Sequence, residues 1–147
     1  VGSEMCIRDR FDIGQTSPKK DVAWMKSFMS IKDQLNYKFI FCLEGKCIST
    51  NLYWAMSSNS VCVMPKPKYE SWFMEGKLKD GVHYIKVKDD FSDAEEKIEF
   101  YINENDKCLK IIENAKKFVR QFKDTKQERL IQLLILKQYF KSTGQHE

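Results

Sequence analysis

The stretch Glu44–Gly76, EGKCISTNLYWAMSSNSVCVMPKPKYESWFMEG, is where residue types with chemical use collect. Gly45 lets a backbone approach a ligand closely. Ser49, Thr50 and Asn51 stand where a helix would begin. A helix start offers unpaired N–H groups and a partial positive charge, which favour phosphate. Their hydroxyl and amide groups would add donors for phosphate oxygens. The same three residues serve equally as plain helix caps. Glu70 and Glu75 follow. A carboxylate beside a strand end can accept both hydroxyls of a ribose or a sugar, although a solvated glutamate is the plainer alternative. His83 comes next, with only His146 as a second histidine. A single histidine is more often packed than catalytic. No Ser-His-Asp set, GxGxxG, phosphate-binding P-loop or metal-ligand cluster is present, so no metal or other cofactor is expected.

These residues need elements to hold them. KFIFCL (38–43), SVCVM (60–64) and VHYIKV (82–87) read as short buried strands. Glu44-Gly45 breaks the first, and Pro65 and Pro67 end the second. STNLYWAMS reads as a short helix capped by Ser49 or Thr50. YESWFMEG reads as a helical turn stopped by Gly76. Residues 11–20 form a loop, and 21–35 carry Val22, Met25, Phe28, Met29 and Leu35 near helical spacing. Ser92 with Glu95 predicts a capping box opening a helix with Ile98 and Ile102 inward. Cys108, Ile112, Ala115, Val119 and Phe122 predict one face of a helix over 106–123. Thr125 with Glu128 predicts a second box and a final helix over 125–141, with Gly144 just past its end. Strands alternating with helices, then a helical tail, predict an α/β domain with a short parallel sheet. In such sheets ligands sit outside the carboxyl ends of the strands, where the loop after 38–43 falls.

Composition narrows the class. With 42% hydrophobic and 31% charged residues, the chain has enough apolar matter to fold. The net charge of +4 comes from lysines dispersed among acids, with no basic block, so nucleic acid is not an expected partner. The apolar patch Leu130–Leu136 is interrupted by Gln132 and falls short of a membrane span. Five cysteines (6, 42, 47, 62 and 108) show no CxxC spacing, and Cys42 and Cys62 read as small apolar residues of buried strands. The opening VGSEMCIRDR resembles translated adapter sequence. Residues 1–10 are therefore set apart as non-native, and 11–147 are taken as a single domain of a longer protein.

YKFIFCLEG, STNLYWAMSSNSVCVMPKPKYESWFMEG, LKDGVHYIKVKDDFSDAEEKI, FVRQFKD and LILKQYFKSTGQ together resemble the C-terminal half of glycosyltransferase family 90, the CAP10-like and lipopolysaccharide-modifying transferases. The resemblance covers nearly all of 11–145. It implies a GT-B architecture, in which two Rossmann-like domains face each other and the C-terminal one grips a nucleotide-sugar, here expected to be UDP-linked. Glu70, Trp72 and Glu75 match the family's E-[ST]-W-x-x-E pattern, and His83-Tyr84 its HY pair. The donor-site candidates are then Gly45, Lys46, Ser49, Thr50, Asn51, Ser60, Glu70, Glu75 and His83.

The resemblance further implies that acceptor site and catalytic base lie in a missing N-terminal half, so that this chain alone is inactive. The acceptor would be a glycan, lipopolysaccharide or protein hydroxyl. Bacterial members carry Asn-Asp where this chain has Lys46 and Cys47, and Lys46 offers a charge for the diphosphate. Two rivals are a fucosyltransferase-like GT-B domain, whose Tyr-x-[ST]-Glu-Lys signature is absent, and a non-catalytic nucleotide-binding module. The compartment stays open between the bacterial cytoplasm or inner-membrane face and a eukaryotic secretory lumen. The final helix is expected to leave apolar surface along 130–140 exposed.

Overall fold

The structure is a computed structural model that describes Asp12 and residues 26–145. The segment 1–10, the expected loop over 11–20 apart from Asp12, and Val22 and Met25 of the one or two short helices expected over 21–35 lie outside the described residues. Within 21–35 one helical turn is seen, α1 (Ile31–Gln34), whose cap Ser30 accepts from the Asp33 N–H at 3.2 Å.

Three strands form, each shorter than its apolar run: β1 (Phe39–Phe41), β2 (Val61–Met64) and β3 (Ile85–Lys86). They make one parallel sheet in the order β1-β2-β3, with Ile40 opposite Cys62 and Val63 opposite Ile85. The third run loses its first half because residues 81–83 turn, with the His83 N–H donating to the Lys79 carbonyl at 2.9 Å.

All four residues of β2 are buried, because helices cover both faces of the sheet. On one face Ile40, Cys42, Cys62 and Met64 pack against α2 (Leu52–Met56) and against Ala115, Val119 and Phe122. On the other, Val61, Val63, Ile85 and Val87 pack against α3 (Ala94–Asn103) and against Cys108 and Ile111. The last five helical residues named belong to α4 (Asn105–Arg120) and the 3-10 turn Gln121–Lys123. Each fully buried Val, Ile or Leu here contributes roughly 1.5–3 kcal/mol by leaving water. The α/β expectation therefore holds, and the arrangement is consistent with a Rossmann-like domain.

The inward helical faces differ from expectation by one position. Ile111 rather than Ile112 is fully buried, and Ile102 is exposed while Ile98 is buried. The caps differ too. Ser92 lies outside α3, which is preceded by Asp93. That carboxylate accepts from the Lys88 N–H at 2.8 Å and pairs with Lys97 at 3.4 Å instead of capping. The helix α5 (Thr125–Thr143) is capped by Asp124, whose Oδ1 accepts from the N–H groups of Lys126 and Gln127 at 3.0 and 3.1 Å. A carboxylate one residue earlier thus takes the role expected of Thr125. Gly144 ends α5 at φ 68°, a left-handed conformation that suits glycine. Gly76, expected to stop a helical turn, sits inside the 3-10 turn Glu75–Lys77.

No residue of α5 is buried. Leu130, Ile131, Leu133, Leu134, Ile135, Leu136, Tyr139 and Phe140 are all exposed, Ile135 to 62%. No described helix is long and apolar enough to cross a membrane.

Among the described cysteines, Cys42, Cys62 and Cys108 are buried and Cys47 is exposed. The neighbouring Cys62 thiol and burial together push the Cys42 thiol well above its ordinary range. In a Cys6→Ser background, iodoacetamide should label Cys47 first and the three buried thiols about a hundredfold more slowly, since they react only on opening. Peptide mass spectrometry reads the order. Equal rates at Cys42 and Cys47 would mean that the sheet is not covered as described.

Candidate functional site

A cleft of about 280 Å³ lies at the carboxyl ends of the strands. Three segments wall it: Cys42–Gly45 after β1, Met64 at the end of β2 with Pro65–Tyr69 after it, and Asp89 with Phe91 after β3. Ser49, Leu52 and Glu75 close it from behind. Parallel strands all point the same way, so their following loops converge on one edge. Phe91 takes φ 57°, a left-handed conformation costing a non-glycine residue roughly 1–3 kcal/mol, and its ring meets Phe41 edge-on at 6.3 Å.

Of the sequence-predicted residues, Gly45, Ser49 and Glu75 line this cleft. Gly45 is exposed with no atom within 4 Å of the place a Cβ would take, so the space beside it is open. Glu75 is 3% exposed, and its two oxygens accept from the Ser71 N–H and hydroxyl, both at 2.7 Å. Ser49 is buried and turned inward. Its hydroxyl donates to Asn51 Oδ1 at 2.6 Å, and Asn51 Nδ2 donates to the Phe41 carbonyl at 2.9 Å. This relay ties the end of β1 to the start of α2. Neither Ser49 nor Thr50 caps α2: Asn51 holds the cap position, without a side-chain cap bond. The helix does start just after these residues, but at five residues its summed dipole is small.

The other candidates fall elsewhere. Lys46, Thr50 and Glu70 are exposed and do not wall the cleft. Glu70 lies against Gly76, where an added Cβ would come within 3.2 Å of its Oε1. Ser60 and His83 precede β2 and β3, at the amino edge of the sheet. The Ser60 hydroxyl donates to the Tyr37 carbonyl at 2.7 Å. His83 Nδ1 accepts from the Lys79 N–H at 3.0 Å, and the ring packs on Phe118. Burial and then Lys79 lower the His83 pKa, which favours the neutral ring that can accept this bond. Both residues hold turns together rather than face the cleft.

Sequence reasoning missed Glu44, Lys66, Lys68 and Asp89, all of which wall the cleft. Lys68 pairs with Asp89 at 2.8 Å, and that carboxylate raises its pKa. The Glu44 oxygens accept from the N–H groups of Lys68 and Tyr69 at 3.0 and 3.2 Å. Lys66 is exposed and makes no ion pair among the described residues. Its place between two prolines was the available signal, because a residue before proline is held extended. Each cleft carboxylate thus already has a partner: amides for Glu44, Ser71 for Glu75, Lys68 for Asp89. Lys66 is the cleft cation that has no ion pair among the described residues. Among the described residues no group of three or more His, Cys, Asp or Glu is placed to hold a metal ion.

The relay through Asn51 yields a stability test. Asn51→Ala should cost about 1–2 kcal/mol in urea unfolding, since it removes both bonds of the relay, from the Ser49 hydroxyl and to the Phe41 carbonyl. Asn51→Asp should cost at least as much, because it replaces the donor by a charge facing a carbonyl. A loss below about 0.3 kcal/mol for both would remove the relay as a structural tie.

Comparison with known proteins bears on what the cleft serves. The sequence profile of glycosyl transferase family 90 matches residues 12–142. The O-glucosyltransferase LpsA of Dichelobacter nodosus is 47% identical over 115 residues, covering 78% of this chain and 36% of that protein. An uncharacterized protein, 179R, of Invertebrate iridescent virus 6 is 31% identical over 98 residues, covering 62% of this chain and 8% of its own length. The chain thus spans about a third of the first relative and a small part of the second. Because the family profile matches residues 12–142 of the 147, from the segment before β1 into the last turn of α5, this chain belongs to glycosyl transferase family 90.

Proposed function

We propose that this chain is the donor-binding part of a glycosyltransferase that moves a sugar from a nucleotide-sugar, UDP-linked, to a hydroxyl of a glycan, lipopolysaccharide or protein. The observation that carries this reading is the cleft at the strand ends, with Lys66 and Lys68 on its wall and a buried carboxylate, Glu75, behind. A diphosphate settles beside Lys66 and the open backbone at Gly45. The hydroxyls of the ribose or sugar reach toward Glu75. Family membership and a relative named as an O-glucosyltransferase support transfer of a glycosyl group.

In the reaction the acceptor oxygen attacks the anomeric carbon and loses its proton to a base. The bond from that carbon to the diphosphate oxygen breaks, and the nucleoside diphosphate leaves. Negative charge grows on the departing oxygen, so a lysine fixed beside it lowers the barrier. In this proposal the lysines carry that charge without a resident metal. The acceptor site and the base come from the remainder of a longer, GT-B-type protein. The exposed apolar helix α5 packs against that remainder: its apolar residues point in all directions, as in a helix buried on every side.

Isothermal titration of the chain with UDP and UDP-glucose tests the reading. Micromolar to millimolar binding is expected, weakened about tenfold by Lys66→Ala through loss of a charge-assisted contact. The nine candidates named from sequence then separate. Glu75→Gln should weaken binding, while His83→Gln and Ser60→Ala should not. Absence of UDP binding by a folded chain would reject the cleft as a donor site.

A further inference from the structure

The geometry points to Glu44 as the positioning residue of the cleft: it clamps the segment after β2 so that Lys66 faces the bound anion. This rests on the donor-site reading above and adds the residue that sets the site's shape.

The segment Pro65-Lys66-Pro67-Lys68-Tyr69 leaves β2 with little hydrogen bonding of its own, since neither proline has an N–H. Lys68 and Tyr69 present the first two consecutive amides after the strand. Both donate to Glu44, one to each carboxylate oxygen, at 3.0 and 3.2 Å. Glu44 itself follows β1, and β1 is held at its end by the Asn51–Phe41 bond. On the far side the Lys68–Asp89 pair at 2.8 Å joins the same segment to the loop after β3. Lys66 is therefore fixed on one side by β2 and on the other by this carboxylate. Bonds from amides to an ionised acceptor are among the stronger kinds. The clamp also has an electrostatic effect. With both oxygens facing amides, the Glu44 charge is partly compensated where an anionic ligand must approach.

The test uses Glu44→Ala, Glu44→Gln, Lys66→Ala and the Glu44→Ala/Lys66→Ala double variant of the chain, with UDP as the probe. Amide exchange at Lys68 and Tyr69 reads the clamp, and titration reads the site. Glu44→Ala is expected to speed exchange at those two amides about tenfold or more while Val63 stays protected, and to weaken UDP binding about fivefold. Glu44→Gln keeps one acceptor oxygen and should fall between. In the Lys66→Ala background, Glu44→Ala should change UDP affinity less than about twofold, because it acts through the missing lysine. Faster exchange with unchanged UDP affinity overturns the proposal and leaves the donor site standing. Additive losses, or tighter binding on removing Glu44, also overturn it. Wild-type chain that does not bind UDP removes the donor reading and this inference together. Should Glu44→Ala fail to fold, Glu44→Gln decides: with wild-type exchange and wild-type affinity the inference fails, and with both shifted it stands.

Discussion

The whole arrangement depends on one strand being covered on both faces. β2 has no exposed residue, and it accepts a parallel neighbour on each side. A parallel pair needs a crossover between its strands, and the crossovers supply the helices that bury the sheet. Here β1 crosses through α2 to β2, and after β3 the helix α3 covers the second face while α4 packs its first turns on that face and its later turns beside α2. Because the strands run together, every loop that leaves them at the carboxyl edge enters the same small volume. The cleft follows from strand direction before any side chain is considered.

Side chains then set its form, and most do so by satisfying backbone rather than by facing a ligand. Asn51 Nδ2 is spent on the Phe41 carbonyl, Ser49 on Asn51 Oδ1, Glu44 on two amides and Glu75 on Ser71, and at the opposite edge of the sheet Ser60 is spent likewise on the Tyr37 carbonyl. Short strands explain the pattern. A sheet of two- to four-residue strands leaves many N–H and C=O groups outside the ladder. In a partly buried region each needs a partner. Polar residues near the strand ends are drawn into that task first. The cleft cation left without an ion pair among the described residues is a lysine between two prolines.

The helical tail poses the opposite case. Apolar residues surround α5 and stand exposed among the described residues, while α4 directs its apolar residues into the core. An exposed apolar area of this kind has the character of an interaction surface.

Much was legible in the order of residues. Alternating apolar runs and helical periods identified three strands, their parallel class and the helices that follow, because burial imposes a period of its own on each element. The combined motifs identified the family. Caps and inward faces were off by a residue at Ser92, Thr125, Ile102 and Ile112. A carboxylate next door can cap or pair equally well, and tertiary contacts choose between them. The candidate site was legible in place, at the loop after the first strand, but only partly in membership. Sequence spacing cannot tell that Ser60 and His83 sit at the amino edge of the sheet, or that Ser49 and Asn51 turn inward. Nor can it tell that Glu44 reaches amides more than twenty positions away. Local pattern determined which elements form. Only the three-dimensional packing decided which polar groups were already taken by the backbone, because that competition is settled by neighbours distant in sequence.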